Sequence, residues 1–144
     1  MSLVNRAVFD TSTLISAVLR PLSVPRQAFI SALGSHTLFV SPETLDELEK
    51  VLLRPKFDAY ASTAERGTFF ARYKQETTVL TPDAQSEQMA KGACRDANDC
   101  KFLALAMACK AGVLVSSDDD LLSLKAWHGT QIVSPAVFFS RSVN

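Results

Sequence analysis

Cysteine is scarce in this sequence: Cys94, Cys100 and Cys109 are the only three among 144 residues. An odd count without CxxC spacing suggests neither a disulfide framework nor a zinc cage, and the expectation is three reduced thiols in a cytoplasmic protein. Aromatic residues are few, at 8%, and neither sign of charge is in excess, with 15 basic against 15 acidic residues. That balance gives no global electrostatic reason for a polyanionic partner, so any affinity for phosphate has to come from local charge or from bound cations. Long apolar runs are missing too. None approaches the ~20 residues of a membrane span. Met1-Ser2-Leu3-Val4-Asn5-Arg6 leads to Asp10 without an apolar signal region. His36 and His128 fall in turns and lack partner ligands, which assigns neither to catalysis or metal. With no repeat, low-complexity tract or linker, residues 1–144 are expected to form a single domain.

What is present is 47% hydrophobic residues in short bursts between polar turns, enough for a substantial core. Ala7-Val8-Phe9 is an apolar run ending at Asp10, and Thr11-Ser12-Thr13 can cap a helix through Leu14 to Leu19. Pro21 and Pro25 interrupt the chain, and Gln27 to Leu33 resumes helical spacing up to Gly34. Thr37-Leu38-Phe39-Val40 reads as a second buried strand. Ser41 follows as N-cap and Pro42 as first helical residue, with Leu45, Leu48, Val51 and Leu52 on one face. Arg54 and Lys56, flanking Pro55, read first as a solvated loop pair, with phosphate contact at the loop as the alternative. A further helix is expected from Thr63 to about Glu76, its Phe69, Phe70 and Tyr73 serving core or subunit interface and not base stacking. Val79-Leu80 reads as a short edge strand. Residues 92–98 form a polar loop opening onto an apolar helix, Cys100 to Ala111, stopped by Gly112. Val113-Leu114-Val115 is a strand, Asp118 to Lys125 a short helix, Gln131-Ile132-Val133 a last strand and Pro135 to Ser140 a terminal helical turn, with Trp127 packing between them. Short apolar strands alternating with helices imply an α/β fold: a three-layer α/β/α sandwich around a central, mainly parallel sheet.

Ligands of open parallel sheets collect outside the carboxyl ends of the strands. Asp10 closes the first strand, Asp118 to Asp120 follow Val113-Leu114-Val115, Asp99 opens the apolar helix, and Glu47 sits in the second turn after Thr37 to Val40. If Asp10, Glu47, Asp99 and Asp118 converge, each pair of like charges about 4 Å apart repels by roughly 4 kcal/mol at an effective dielectric near 20. No Lys or Arg stands in sequence where it would neutralise the group, Lys101 being the nearest. A divalent cation is the economical remedy, and an all-oxygen site suits Mg2+ or Mn2+ and phosphodiester hydrolysis. Each acid alone also has a structural role open to it: Asp10 as a helix cap, Asp99 as a dipole partner, Ser117 and Asp120 as a capping box, Glu47 as part of an acidic helix face with Glu43, Asp46 and Glu49. Their joint placement at strand ends carries the case for a site. A module that binds a cation or a partner without turnover is the alternative. A phosphoacceptor domain of the response-regulator kind would need a Lys near the last strand, and Lys125 is poorly placed for that.

Val8-Phe9-Asp10-Thr11-Ser12 resembles the opening strand of PIN domains, and Ser41-Pro42-Glu43-Thr44-Leu45-Asp46-Glu47-Leu48 resembles the helix bearing their second acid. Residues Arg95 to Ala106 and Val113 to Leu122 resemble the remaining half of the site, so the resemblance spans nearly the whole chain. It is closest to the toxins of bacterial and archaeal toxin–antitoxin pairs, the VapC-like branch. The resemblance implies a magnesium- or manganese-dependent endoribonuclease acting on RNA, usually a homodimer, inhibited by a small antitoxin that inserts a segment into the active groove. It implies metal-binding roles for Asp10, Glu47, Asp99 and Asp118. Asp96 and Asp120 would lie just outside them, and Ser12 or Ser116 would bond a carboxylate or a water. Ser12 stands where many members carry Asn.

Overall fold

The computed structural model of the chain describes residues 5–142; residues 1–4, on which the expectation of no apolar signal region falls, and 143–144 lie outside them. Strand β1 (Arg6–Phe9) runs parallel to β2 (Thr37–Val40) on one side and to β4 (Val113–Val115) on the other. Beyond β2 lies the two-residue β3 (Thr78–Val79), and beyond β4 lies β6 (Thr130–Val133) with the antiparallel β5 (Ala126–Trp127), giving the order β3-β2-β1-β4-β6-β5.

Successive strand residues point to opposite faces, and both faces are apolar. Ala7, Phe9, Leu38, Val40, Val115 and Val133 face α1 (Thr11–Leu19), α2 (Val24–Ser35), α3 (Pro42–Leu52), α4 (Thr63–Glu76) and α8 (Pro135–Ser142). Val8, Phe39, Leu114 and Ile132 face α5 (Ala84–Lys91), α6 (Cys100–Cys109) and α7 (Asp119–Leu124). The result is the expected three-layer sandwich. Phe29, Phe69 and Tyr73 pack ring against ring in the first core, which assigns the aromatic face of α4 to packing.

Several local expectations are corrected. Helix α2 begins at Val24, capped by Ser23, because Pro25 sits in the first turn, where its missing N–H costs nothing. Helix α6 ends at Cys109, and Lys110, not Gly112, closes it in the left-handed conformation (φ 55°) with its N–H turned back to Ala106 and Met107. Helix α5 and strand β5, which pairs with the expected last strand through a turn at His128 (φ 46°) and Gly129 (φ 87°), were not expected. The cysteines are not three free thiols. A 3-10 turn at Ala97–Asp99 folds the loop back, so Cys94 and Cys100 approach to 5.6 Å between Cα atoms and are disulfide-bonded. Cys109 is the free one, and burial pushes its thiol up to about 11, which removes it as a nucleophile at neutral pH.

Candidate active site

The chain leaves β1 toward β2 on one side, while β4 pairs on the other, so a crevice opens at the carboxyl ends of these two central strands. Asp10 ends β1 with only 3% of its surface exposed. Its Oδ1 caps α1 by accepting from the Thr13 N–H at 3.0 Å and also accepts from Ser12 Oγ at 3.2 Å, while Oδ2 accepts from Ser116 Oγ at 2.6 Å. Capping and site duty therefore coexist in one carboxylate. Burial raises its pKa, and the hydrogen bonds from Ser116, Thr13 and Ser12 oppose that rise. Ser116, just past β4, ties the two strand ends together: its Oγ also accepts the Asp118 N–H at 2.9 Å. The capping box expected of Ser117 and Asp120 is absent. Asp118 itself is the N-cap of α7, with extended backbone (φ −93°, ψ 126°) and no side-chain cap bond, and Ser117 Oγ instead lies 3.0 Å from Thr13 Oγ1.

Glu47 reaches the same crevice from α3. Its Oε1 accepts from Thr11 Oγ1 at 2.5 Å, and its Oε2 pairs with Lys101 Nζ at 3.2 Å. The expectation that no cation neutralises any of these acids is corrected here. Lys101 lies in the first turn of α6, donates to the Asn98 carbonyl at 2.8 Å and keeps only 11% of its side chain exposed. No such partner serves Asp99 and Asp118. The Oδ2 atom of each is buried without a hydrogen-bond donor. Burial first, then a hydrogen bond shared with Asp118 and the charges of Asp118, Asp96 and Asp10, push the Asp99 carboxyl up to about 7. Near neutrality Asp99 is thus partly protonated, its charge disfavoured by burial and by the acids around it.

Asp10, Glu47, Asp99 and Asp118 all line one cleft of about 510 Å³, with Ser12 beside them and Ser116 buried behind Asp10. Asp96 and Asp120 stand just outside it; their carboxylate oxygens and one of Asp99 lie within 4.8 Å of one another, and Arg95 approaches Asp120 at 3.9 Å. The donor set is oxygen throughout, anionic, and includes two buried oxygens with no donor. That set fits a hard divalent cation such as Mg2+ or Mn2+. Sequence reasoning missed Thr11 and Lys101 as partners of Glu47. The signal available for Lys101 was its place in the first turn of α6, two positions past Asp99. Arg54 and Lys56, read as a solvated loop pair with phosphate contact as the alternative, are both exposed and both line the cleft.

The model of the PIN domain family matches residues 6–120 of the chain. The chain belongs to the PIN domain family. This PIN domain is 26% identical over 122 residues to the uncharacterized protein MJ1680 of Methanocaldococcus jannaschii, covering 83% of the chain and 75% of that protein. Its fold matches that of PAE2754 from Pyrobaculum aerophilum with a TM-score of 0.64 at 14% identity, covering 99% of this chain and 92% of that one. It also matches VapBC2 from Rickettsia felis, bound to a DNA fragment from its promoter, with a TM-score of 0.62 at 13% identity over 90% of this chain and 98% of that one. The DNA-bound VapBC of Salmonella typhimurium gives 0.61 at 17% identity, over 91% and 98%. The PIN domain thus shares its fold with chains of two VapBC structures. Among the described residues, no helix is long and apolar enough to cross a membrane.

Proposed function

We propose that this PIN domain is a divalent-metal-dependent endoribonuclease that hydrolyses RNA phosphodiester bonds. In this reading it is the toxin of a toxin–antitoxin pair, a cytoplasmic homodimer held in check by a small antitoxin protein, with residues 1–144 acting as one nuclease domain. Membership of the PIN family and the fold shared with two VapBC structures support it. The observation that carries it is the pair of buried, donorless Oδ2 atoms of Asp99 and Asp118 in the same cleft as Asp10. A fold gains nothing from such a pair unless something cationic completes it.

Asp10, Glu47, Asp99 and Asp118 would hold Mg2+ or Mn2+. When bound, such a cation supplies activation of a water for attack on phosphorus and stabilises the charge developing on the leaving oxygen. The remaining work belongs to the chain. Ser116 and the Thr13 N–H hold both oxygens of Asp10 in one orientation. Thr11 and Lys101 fix the Glu47 carboxylate at the edge of the cleft. Asp99, raised by burial and its acidic neighbours, would have to give up its proton to hold a cation, which would couple loading to pH.

The test is incubation of purified protein and Asp10→Asn with single-stranded RNA, with and without Mn2+. Cleavage by the wild type with Mn2+ alone is expected; equal cleavage by both proteins eliminates the assignment. The Lys101–Glu47 pair favours a second reading, a cation- or partner-binding module without turnover, since one acid already has a counter-ion. Stabilisation by Mn2+ with no RNA cleavage would favour that module.

A further inference from the structure

Four carboxylates facing a polyanion need positive charge beyond a bound cation, and a chain with 15 basic and 15 acidic residues has none to spare globally. The cleft supplies it locally. Part of its wall is the segment after α3, where Arg54 and Lys56 line the same cavity as Asp10 and Glu47. Among the described residues neither side chain pairs with an acid; Lys56 Nζ instead rests 5.2 Å from the centre of the Phe57 ring.

This wall is built and not loose. Arg66 of α4 is wholly buried, and its guanidinium gathers the segment around itself. Nη1 donates to the carbonyls of Leu52 (2.6 Å) and Arg54 (3.2 Å), Nε to those of Ala61 (3.1 Å) and Ser62 (3.3 Å), and Nη2 bonds Asp58 and reaches Thr63 Oγ1 at 3.4 Å. With its carbonyl drawn inward to Arg66 and Pro55 forbidding further helix, Arg54 is held in extended backbone (φ −63°, ψ 132°). The planar fork of arginine is the side chain that can satisfy so many acceptors at once.

We propose that Arg54 and Lys56 form a phosphate-binding wall that guides the backbone of single-stranded nucleic acid past the carboxylates, with Arg66 as the residue that positions it. The proposal rests on the ribonuclease reading above and adds to it the elements that hold the phosphates flanking the cut.

The test measures binding of a single-stranded RNA and a DNA of the same sequence across a salt series, in Asp10→Asn to prevent turnover, with and without Arg54→Ala/Lys56→Ala. Each single-strand phosphate contact contributes about 0.7 to the slope of log K against log salt, so losing two should flatten it by about 1.4 on both strands. Mn2+ binding should be unchanged by the double substitution. Arg66→Lys, which keeps the charge and loses the fork, should flatten the slope equally; the Arg54/Lys56 result decides the matter whether or not that variant folds. An unchanged slope overturns the proposal and leaves the wall to an acidic polypeptide. A loss on only one of the two strands also overturns it, because their phosphates are alike. Wild-type RNA cleavage, run in parallel, judges the nuclease reading separately: binding can track the wall even if no cleavage occurs.

Discussion

Replacing Asp99 by Asn should stabilise the metal-free protein, and increasingly so as pH rises. Asp99 is raised from 3.8 to about 7 by burial first and by its acidic neighbours second. A carboxyl whose folded pKa lies above its unfolded value binds protons more tightly when folded. Its contribution is therefore fully present below about pH 4 and is lost as pH climbs through about 7. Each pH unit of that window is worth about 1.4 kcal/mol, so full linkage would amount to about 4 kcal/mol. The cleft opens to water on one side, which screens the charges and reduces the expected difference to about 1–2 kcal/mol. Urea denaturation of both proteins in EDTA, at about pH 5 and about pH 8, measures it. The gain of Asp99→Asn over wild type should widen between the two conditions, with some slope persisting in the variant because Asp10 is also raised. Saturating Mn2+ should reverse the order at high pH, since the cation would offset the buried charge of Asp99 in wild type alone. A gain independent of pH, or a loss that grows with it, would refute the argument that Asp99 is held against its neighbours' charge.

Lys101→Met should lower metal-free stability by about 1–2 kcal/mol by leaving Glu47 without its ammonium, a deficit that added Mn2+ repairs; thermal melts with and without the metal read it directly. Ser116→Ala removes the donor to Asp10 Oδ2 and the acceptor of the Asp118 N–H, and should weaken Mn2+ binding about tenfold by calorimetry. An unchanged affinity would mean that Ser116 does not orient either acid. Arg66→Met strips donors from the carbonyls of Leu52, Arg54, Ala61 and Ser62 and should cost about 3–5 kcal/mol in urea denaturation; a cost below about 1 kcal/mol would show that water replaces it.

Strand ends were the legible part of this protein. Short apolar runs such as Val113-Leu114-Val115 announce a buried parallel strand, and an acid at the end of one lies where the sheet gathers ligands, so Asp10 and Asp118 could be placed from sequence. Partners contributed by helices were harder. Lys101 and Glu47 are 54 residues apart and meet only because α3 and α6 converge on the same crevice from opposite layers. Arg66 reads in sequence as one more charge on a polar helix, and nothing local marks it as fully buried, because its partners are carbonyls and every residue has one. The β5–β6 hairpin escaped because β5 is two residues long and its turn uses His128, which gives no glycine-like signal for positive φ. The cysteine pair escaped because spacing alone says nothing of the tight turn that joins its ends.

The fold's treatment of its acids distinguishes packing from purpose. Where Asp58 and Asp46 serve structure, each has a cation beside it, Arg66 and Lys50. In the cleft only Glu47 is so treated, and Asp10 is held by hydroxyls and one backbone N–H that orient it without cancelling its charge. Asp99 and Asp118 lack even that, although Asn at either position would supply a donor and end the repulsion. A sequence selected for stability alone would have no reason to keep an Oδ2 atom of each buried without a donor. Their retention in a crevice walled by two unpaired basic side chains makes electrostatic sense when a divalent cation and a phosphate chain meet there.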